Sequence, residues 1–364
     1  MFKSQEGSTK QLIELCIGYF ILYVITGISV KYFTGNTELG FPGMSDMKYL
    51  IYNTIGGNLL ALVIVIAFKW YKLESNNYTK IFGFNVPSEL YYIIPSGVCT
   101  AVVIPTTTLM YTLPISVMIA MVIMRGSIII ISRVIDAIQI RQGILRKKVY
   151  WEENAAVIFA MIAVMANILN FKPGSFDFLN SPAAMTILSS YLIAYSVRLY
   201  TMNYYKNTRK EGIKQDNKGF FAIEQISASS TMLITGLIIF FIFSSSDSSV
   251  AQINEFRNAF INPDSYWYLA SVSGFAFGLL AFFSVFIFMF KGRTATFAGL
   301  VNRLTSLIAG TAATLLFALF WGGKYPKIED WITLFFILIA VAFLTRAEKR
   351  RVKELKATHE IDNG

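Results

Sequence analysis

The sequence predicts an all-α integral membrane protein of ten transmembrane helices, arranged as two inverted five-helix repeats. Three observations carry that expectation. The chain is 55% hydrophobic with a mean hydropathy of +0.53, so apolar stretches rather than a soluble core set the architecture. About ten of those stretches approach or exceed the roughly 17–20 residues that a crossing helix needs. The basic residues also gather in alternate loops, which is how topology is written into a membrane sequence.

Residues 11–30 follow Lys3 and Lys10. The run is longer than a signal-peptide core and lacks a small-residue cleavage site, so it is expected to remain as the first helix, with Glu14 near its inner end. Residues 49–68 form the second span, where Asn53, Gly56, Gly57 and Asn58 make a narrow polar patch. The third, 90–111, contains Pro95, Pro105 and the run Thr106-Thr107-Thr108. Proline frees carbonyls that neighbouring hydroxyls can satisfy, so Thr106 and Thr107 are candidate cavity residues. The fourth, 114–138, carries Arg125, Ser132, Arg133 and Asp136; the fifth, 154–171, is led by Trp151. The second half runs through 182–204 with Arg198, 219–243 with Glu224, 266–290 with Gly274 and Gly278 four apart, 294–320 with Arg303, and 331–344. The last is the shortest and is kept because Trp331 and Arg346 bracket it as interface anchors. Residues 244–265 read as solvated external chain because of the serine run 244–249.

Charge fixes the expected orientation. With the N-terminus cytoplasmic, inside positions hold 22 of the 32 Lys and Arg, outside positions hold 6, and Arg125, Arg133, Arg198 and Arg303 lie within spans. Both termini are then cytoplasmic in the cell membrane. The organisation becomes a short N-terminus (1–10), a first repeat (11–175), a second repeat (180–345) and a charged tail (346–364). The net charge of +10 is assigned to topology and anionic lipid headgroups rather than nucleic acid. Cys16 and Cys99 fall in apolar helices and read as packing residues. The single histidine, His359, leaves no basis for a Ser-His-Asp triad or a His-ligated metal. No cofactor is expected. Asn77-Tyr78-Thr79 matches a glycosylation acceptor, silent at an inside position.

The two halves share landmarks. Trp151 and Trp331 each follow a basic loop and lead an alanine- and isoleucine-rich helix, and Arg125 and Arg303 precede them by 26 and 28 residues. Five helices per half is an odd number, so the second half sits inverted, as in many transporters.

The fourth span reads Ser116-Val117-Met118-Ile119-Ala120-Met121-Val122-Ile123-Met124-Arg125-Gly126-Ser127-Ile128-Ile129-Ile130, followed by Leu145-Arg146-Lys147-Lys148 and Trp151. This resembles the drug/metabolite transporter superfamily, in particular its nucleotide-sugar-transporter-like and EamA-like branches. There a Met-Arg-Gly-Ser-like helix precedes a Leu-Lys-Arg-Lys loop and a Trp-led fifth helix. The resemblance covers most of the chain and implies a helical-bundle transporter of small organic solutes with a central cavity. The chain departs from that pattern at Arg133 and Asp136.

A charge at mid-membrane costs about 2.5–3.5 kcal/mol on insertion scales, so each needs a partner, water or a task. Arg133 and Asp136, three apart, are expected to pair. That leaves Arg125, Arg198 and Arg303 as an anion-binding interior, with Ser132, Asn53, Asn58, Thr106 and Thr107 as polar lining. Glu14 and Glu224 are the remaining intramembrane acids; Glu224, which begins its span, suits a helix N-terminus and alternatively proton coupling. The expected function is secondary transport of a small anionic or zwitterionic metabolite by alternating access, with the protein a monomer or homodimer among membrane lipids. The alternative is a membrane-embedded transferase acting on a lipid-linked substrate, which needs an acid cluster or histidine at one interface. The sequence offers neither.

Overall fold

The computed structural model describes residues 7–81, 83–112, 117–166, 181–210, 213–242, 251–322 and 325–357. Its elements are α1 (Thr9–Phe33), α2 (Asp46–Ala67), a hairpin of β1 (Tyr78–Ile81) and β2 (Phe84–Pro87), α3 (Leu90–Thr112), α4 (Val117–Arg141) and α5 (Trp151–Ala166). They continue through α6 (Pro182–Asn207), α7 (Asn217–Ile242), α8 (Ala251–Ile261), α9 (Trp267–Phe288), α10 (Ala295–Trp321) and α11 (Ile328–Ala357). Among the described residues, α1, α2, α3, α7, α9, α10 and α11 are long and apolar enough to cross a membrane. The protein is thus a helical, multi-pass membrane protein. The other long helices, α4, α5 and α6, lie on the predicted stretches 114–138, 154–171 and 182–204.

The helices start where side chains satisfy their free N–H groups. Ser8 accepts from Gln11 N, Ser45 from Lys48 N, and Thr294 from Phe297 N. Outward faces are apolar. On α1, Ile13, Ile17, Ile21 and Ile25 form an exposed stripe one turn apart, while Leu12, Leu15 and Tyr19 point inward. On α7, Leu233, Ile234, Leu237, Ile238 and Phe241 are exposed together. Such surfaces are stable only against hydrocarbon.

Packing is intimate between α2 and α9, α5 and α11, α3 and α6, α3 and α7, α1 and α10, and α1 and α9; α4 packs on α10 and on α6. The α2–α9 contact is backbone to backbone. A Cβ on Gly56 would stand 1.7 Å from the Ser271 carbonyl oxygen, and one on Gly274 would stand 2.0 Å from that of Asn53. Only glycine permits this approach.

Three expectations are corrected. The stretch 244–265 is not plain solvated chain: α8 forms within it and packs on α2, with Tyr52 donating to the Ala259 carbonyl at 2.7 Å (residues 243–250, with the serine run, lie outside the described residues). The loop after α2 holds the β1–β2 hairpin, which the all-α expectation lacked. The last span does not stop near 344. It continues to Ala357 because Glu348 and Arg351 are buried partners of the body, not solvated tail.

Both described chain ends meet at one end of the bundle. Arg293 bonds Glu348 through Nε at 3.0 Å and donates to the Gly7 carbonyl at 2.9 Å, while Thr9 donates to Glu348 at 2.9 Å. Arg350 pairs with Glu152 at 3.0 Å, and Arg351 pairs with Glu153 at 3.4 Å. A second clamp joins the loops after α2 and α6. Glu89, 1% exposed, receives Arg209 at 2.6 Å, the Asn76 N–H at 2.6 Å and the Ser75 hydroxyl. Burial alone pushes the Glu89 carboxyl up, but the Asn76 N–H, the Ser75 hydroxyl and the Arg209 guanidinium outweigh it and hold it below the usual carboxylate range.

Candidate functional site

The site is built from polar side chains of four helices, α1, α4, α6 and α10. On α1, Tyr19 and Tyr23 lie one turn apart on one face, rings 5.7 Å apart and tilted by 54°. On α6, Tyr191 and Tyr195 repeat this arrangement at 5.6 Å and 50°. Arg125 on α4 reaches across to α1 and donates from Nη2 to the Tyr23 hydroxyl at 3.3 Å. Arg303 on α10 reaches across to α6, bonds the Tyr195 hydroxyl and lies over that ring, 5.2 Å from its centroid. Arg303 also stands within electrostatic reach of Tyr191, Tyr19 and Tyr23, so both arginines serve one tyrosine cluster. Long contacts at 3.5 Å complete it, from Tyr19 to the Asn302 amide oxygen and from Tyr191 to the Met124 carbonyl.

Among the described residues, neither guanidinium has a carboxylate partner, and Arg303 Nε is buried with no hydrogen-bond partner. Both arginines remain only partly buried. Tyrosine hydroxyls orient a guanidinium but do not neutralise it. Two positive charges in apolar surroundings therefore leave an electrostatic demand that an anion satisfies. The hydroxyls and ring faces offer further donors and a stacking surface to the rest of such a molecule.

Arg198 is corrected as a free anion binder. It forms a buried bidentate pair with Glu224, Nε to Oε1 at 2.9 Å and Nη2 to Oε2 at 3.1 Å. Glu224 also accepts from Ser96 at 2.8 Å and Thr100 at 3.2 Å, so it is not a helix-start carboxylate but the hub joining α3, α6 and α7.

The Arg133–Asp136 pair is likewise corrected. Arg133 Nε donates to Asn154 Oδ1 of α5 at 2.9 Å. Asp136, 1% exposed, accepts the first backbone N–H groups of α10, from Ala295 at 2.8 Å and Thr296 at 2.6 Å. Three residues along a helix is about 60° of rotation from eclipsed, and here α5 and α10 each supply a partner on a separate face. A carboxylate on a helix N-terminus also gains from the dipole.

The polar lining residues turn inward to structure rather than to the arginines. Ser132 donates to the Ile128 carbonyl at 2.7 Å and fills the space over Gly299. Thr106 and Thr107 bond the Val102 and Val103 carbonyls one turn back, each at 2.7 Å. Asn53 donates to Tyr49 and Ser273, both at 3.1 Å. Asn58 accepts from Gln225 at 2.5 Å and ties α2 to α7. Glu14 is half-buried near the start of α1. Of the predicted site residues, the structure pairs Arg198 with Glu224 and sets Arg125 and Arg303 against tyrosines of α1 and α6. The four tyrosines were missed, although Tyr-x-x-x-Tyr recurs at 19–23 and 191–195, in the first helix of each predicted half. Among the described residues, no group of three or more His, Cys, Asp and Glu side chains is arranged to hold a metal ion.

No family model matches this sequence, and no curated protein matches it. A solved structure described only as "Crystal structure of protein" is similar to this chain, with a TM-score of 0.57 and 13% identity. The likeness covers 94% of this chain and 99% of that one. At such low identity it speaks to the fold alone.

Proposed function

We propose that this protein is a secondary transporter of small organic anions, working by alternating access between two inverted five-helix halves, with the organisation of the drug/metabolite transporter superfamily. The observation that carries the reading is the doubled Arg–Tyr unit: Arg125 with Tyr19 and Tyr23, and Arg303 with Tyr191 and Tyr195. Pairing α1 with α6, α2 with α7, α3 with α9, α4 with α10 and α5 with α11 maps many contacts onto one another. The α1–α10 contact matches α6–α4, α1–α9 matches α6–α3, α2–α9 matches α7–α3, and α4–α5 matches α10–α11. Single residues follow the same relation. Ser273-Gly274 of α9 meets Asn53 of α2, and Ser96-Gly97 of α3 meets Glu224 of α7. Two such halves exchange packings at little net cost, which opens a central site to either side in turn. The positive residues at the end where both described termini meet favour the cytoplasmic side for that end.

Reconstituted into liposomes, the protein is expected to move anionic metabolites, with Arg125→Ala abolishing flux while monodispersity and expression persist. Arg125→Lys is expected to restore part of the rate, because an ammonium lacks the planar two-donor fork. Turnover of a lipid-linked donor in detergent, with no flux in liposomes, would instead establish the transferase.

A further inference from the structure

The outward face of α11 changes chemistry without changing direction. Trp331, Phe335, Leu338, Ala342 and Thr345 are exposed along it at three- and four-residue spacing, the pattern of a helix side turned to hydrocarbon. The same spacing then brings Arg346, Lys349, Arg350 and Lys353 to that side, all exposed. The opposite face stays buried through Leu344, Ala347, Glu348, Arg351 and Leu355. It is fastened to the body, since Glu348 pairs with Arg293, Arg351 pairs with Glu153, and the Leu355 side chain stands over Gly292. The four cations therefore sit on a packed helix that continues straight out of a membrane span.

Together with Glu152 they line an open groove of about 240 Å3. Glu152 is already engaged, its two carboxylate oxygens accepting from Arg350 Nη1 at 3.0 and 3.1 Å. Among the described residues, Arg346, Lys349 and Lys353 have no carboxylate partner. Like charges one turn apart repel, so the groove is an electropositive recess suited to an anion. Its surroundings point to one with an apolar body. Trp151, next to Glu152, is 57% exposed and stands edge-on to Phe343, ring centroids 5.8 Å apart. Ile158 and Met165 continue the exposed apolar side of α5 beyond it. A tryptophan between an apolar face and a basic one marks the level of lipid headgroups. We propose that this groove binds the headgroup of an anionic phospholipid. Its phosphate rests on Arg346, Lys349 and Lys353, and its acyl chains run along the outward faces of α5 and α11. The site is separate from the Arg–Tyr cluster and does not depend on what that cluster carries.

The test uses the full chain, stripped of lipid in detergent and titrated with dioleoylphosphatidylglycerol or dioleoylphosphatidylcholine, with bound lipids counted by native mass spectrometry. Phosphatidylglycerol is expected to bind about ten-fold more tightly than phosphatidylcholine. Each lysine near a lipid phosphate is worth roughly five-fold, so Lys349→Gln with Lys353→Gln should weaken phosphatidylglycerol by about ten- to thirty-fold and leave phosphatidylcholine unchanged. Lys72→Gln with Lys80→Gln removes the same charge from exposed positions elsewhere and should change neither lipid. An unaltered Tm without added lipid checks that both variants fold. The proposal fails if the two pairs of substitutions weaken phosphatidylglycerol equally, because net charge then explains the attraction. It fails also if the two lipids bind alike, or if inorganic phosphate binds as tightly as phosphatidylglycerol, which would mark a site for soluble anions. Fluorescence gives a reading without these variants. The Trp151 emission, taken as wild type minus Trp151→Phe, should be quenched more by brominated phosphatidylglycerol than by brominated phosphatidylcholine, and equal quenching overturns the proposal.

Discussion

Asp136 shows how a partner from another helix displaces the one that spacing offers. Its two hydrogen bonds come from the α10 backbone, so Asp136→Ala strands two buried N–H groups. Leaving such donors unsatisfied costs about 1–3 kcal/mol each. We therefore expect Asp136→Ala to lower Tm in detergent, and Arg133→Ala added to it to rescue nothing. A coupling energy near zero in the double-mutant cycle is the expected result; recovery on combining them would restore the intrahelical pair. Glu89 makes a prediction about pH. Its folded-state pKa is depressed below the ordinary 4.5, so its stabilisation is fully present above the unfolded pKa and is lost as pH falls through the folded one. Wild type should melt above Glu89→Gln at pH 7. The difference should shrink on acidification below 4.5, as read from paired melting curves.

Helix pairing depends on the absence of side chains as much as on their presence. Where α2 crosses α9, Gly56, Gly57, Gly274 and Gly278 put backbone against backbone, and a methyl group at Gly274 would overlap the Asn53 carbonyl at 2.0 Å. Gly274→Ala must push the helices apart, at the roughly 1–3 kcal/mol of overpacking or more. Gly126 on α4 is the control. A Cβ there meets its nearest neighbour, Val164, at 3.4 Å, and alanine favours a helix interior over glycine by about 1 kcal/mol. Gly274→Ala should therefore lose expression and melt lower, while Gly126→Ala melts at or above wild type. Equal behaviour of the two would mean that the close crossing is absent in the bilayer.

The bundle as a whole is tied at the end where its described termini meet. The Arg293–Glu348 and Arg351–Glu153 pairs fasten α10 and α11 to the start of α1 and to α5. Lys48, by contrast, donates to the Asn262 carbonyl at 2.9 Å, joining α2 to the end of α8 at the far end. Single cysteines at Asn217 and Asn262, in a background lacking Cys16 and Cys99, should consequently label from opposite sides. Asn262 should react with an impermeant maleimide in intact cells, and Asn217 only after lysis. Labelling of both from outside would sink the even-crossing topology.

Hydropathy placed the long helices because lipid imposes a strong, local rule: every exposed backbone group is satisfied within the helix and every outward side chain is apolar. That rule acts on consecutive residues, so it is legible in one dimension. Arg125 and Arg303 stood out in sequence for a related reason, as charges within apolar spans at similar distances before Trp151 and Trp331. Partners were not legible. Arg198 finds Glu224 across a helix boundary, Asp136 finds a backbone 159 residues away, and Tyr195 meets a guanidinium only because α10 brings Arg303 to it. Spacing proposes neighbours along one helix; a buried charge takes whichever partner the fold brings closest, since its desolvation cost is recovered only at hydrogen-bonding distance.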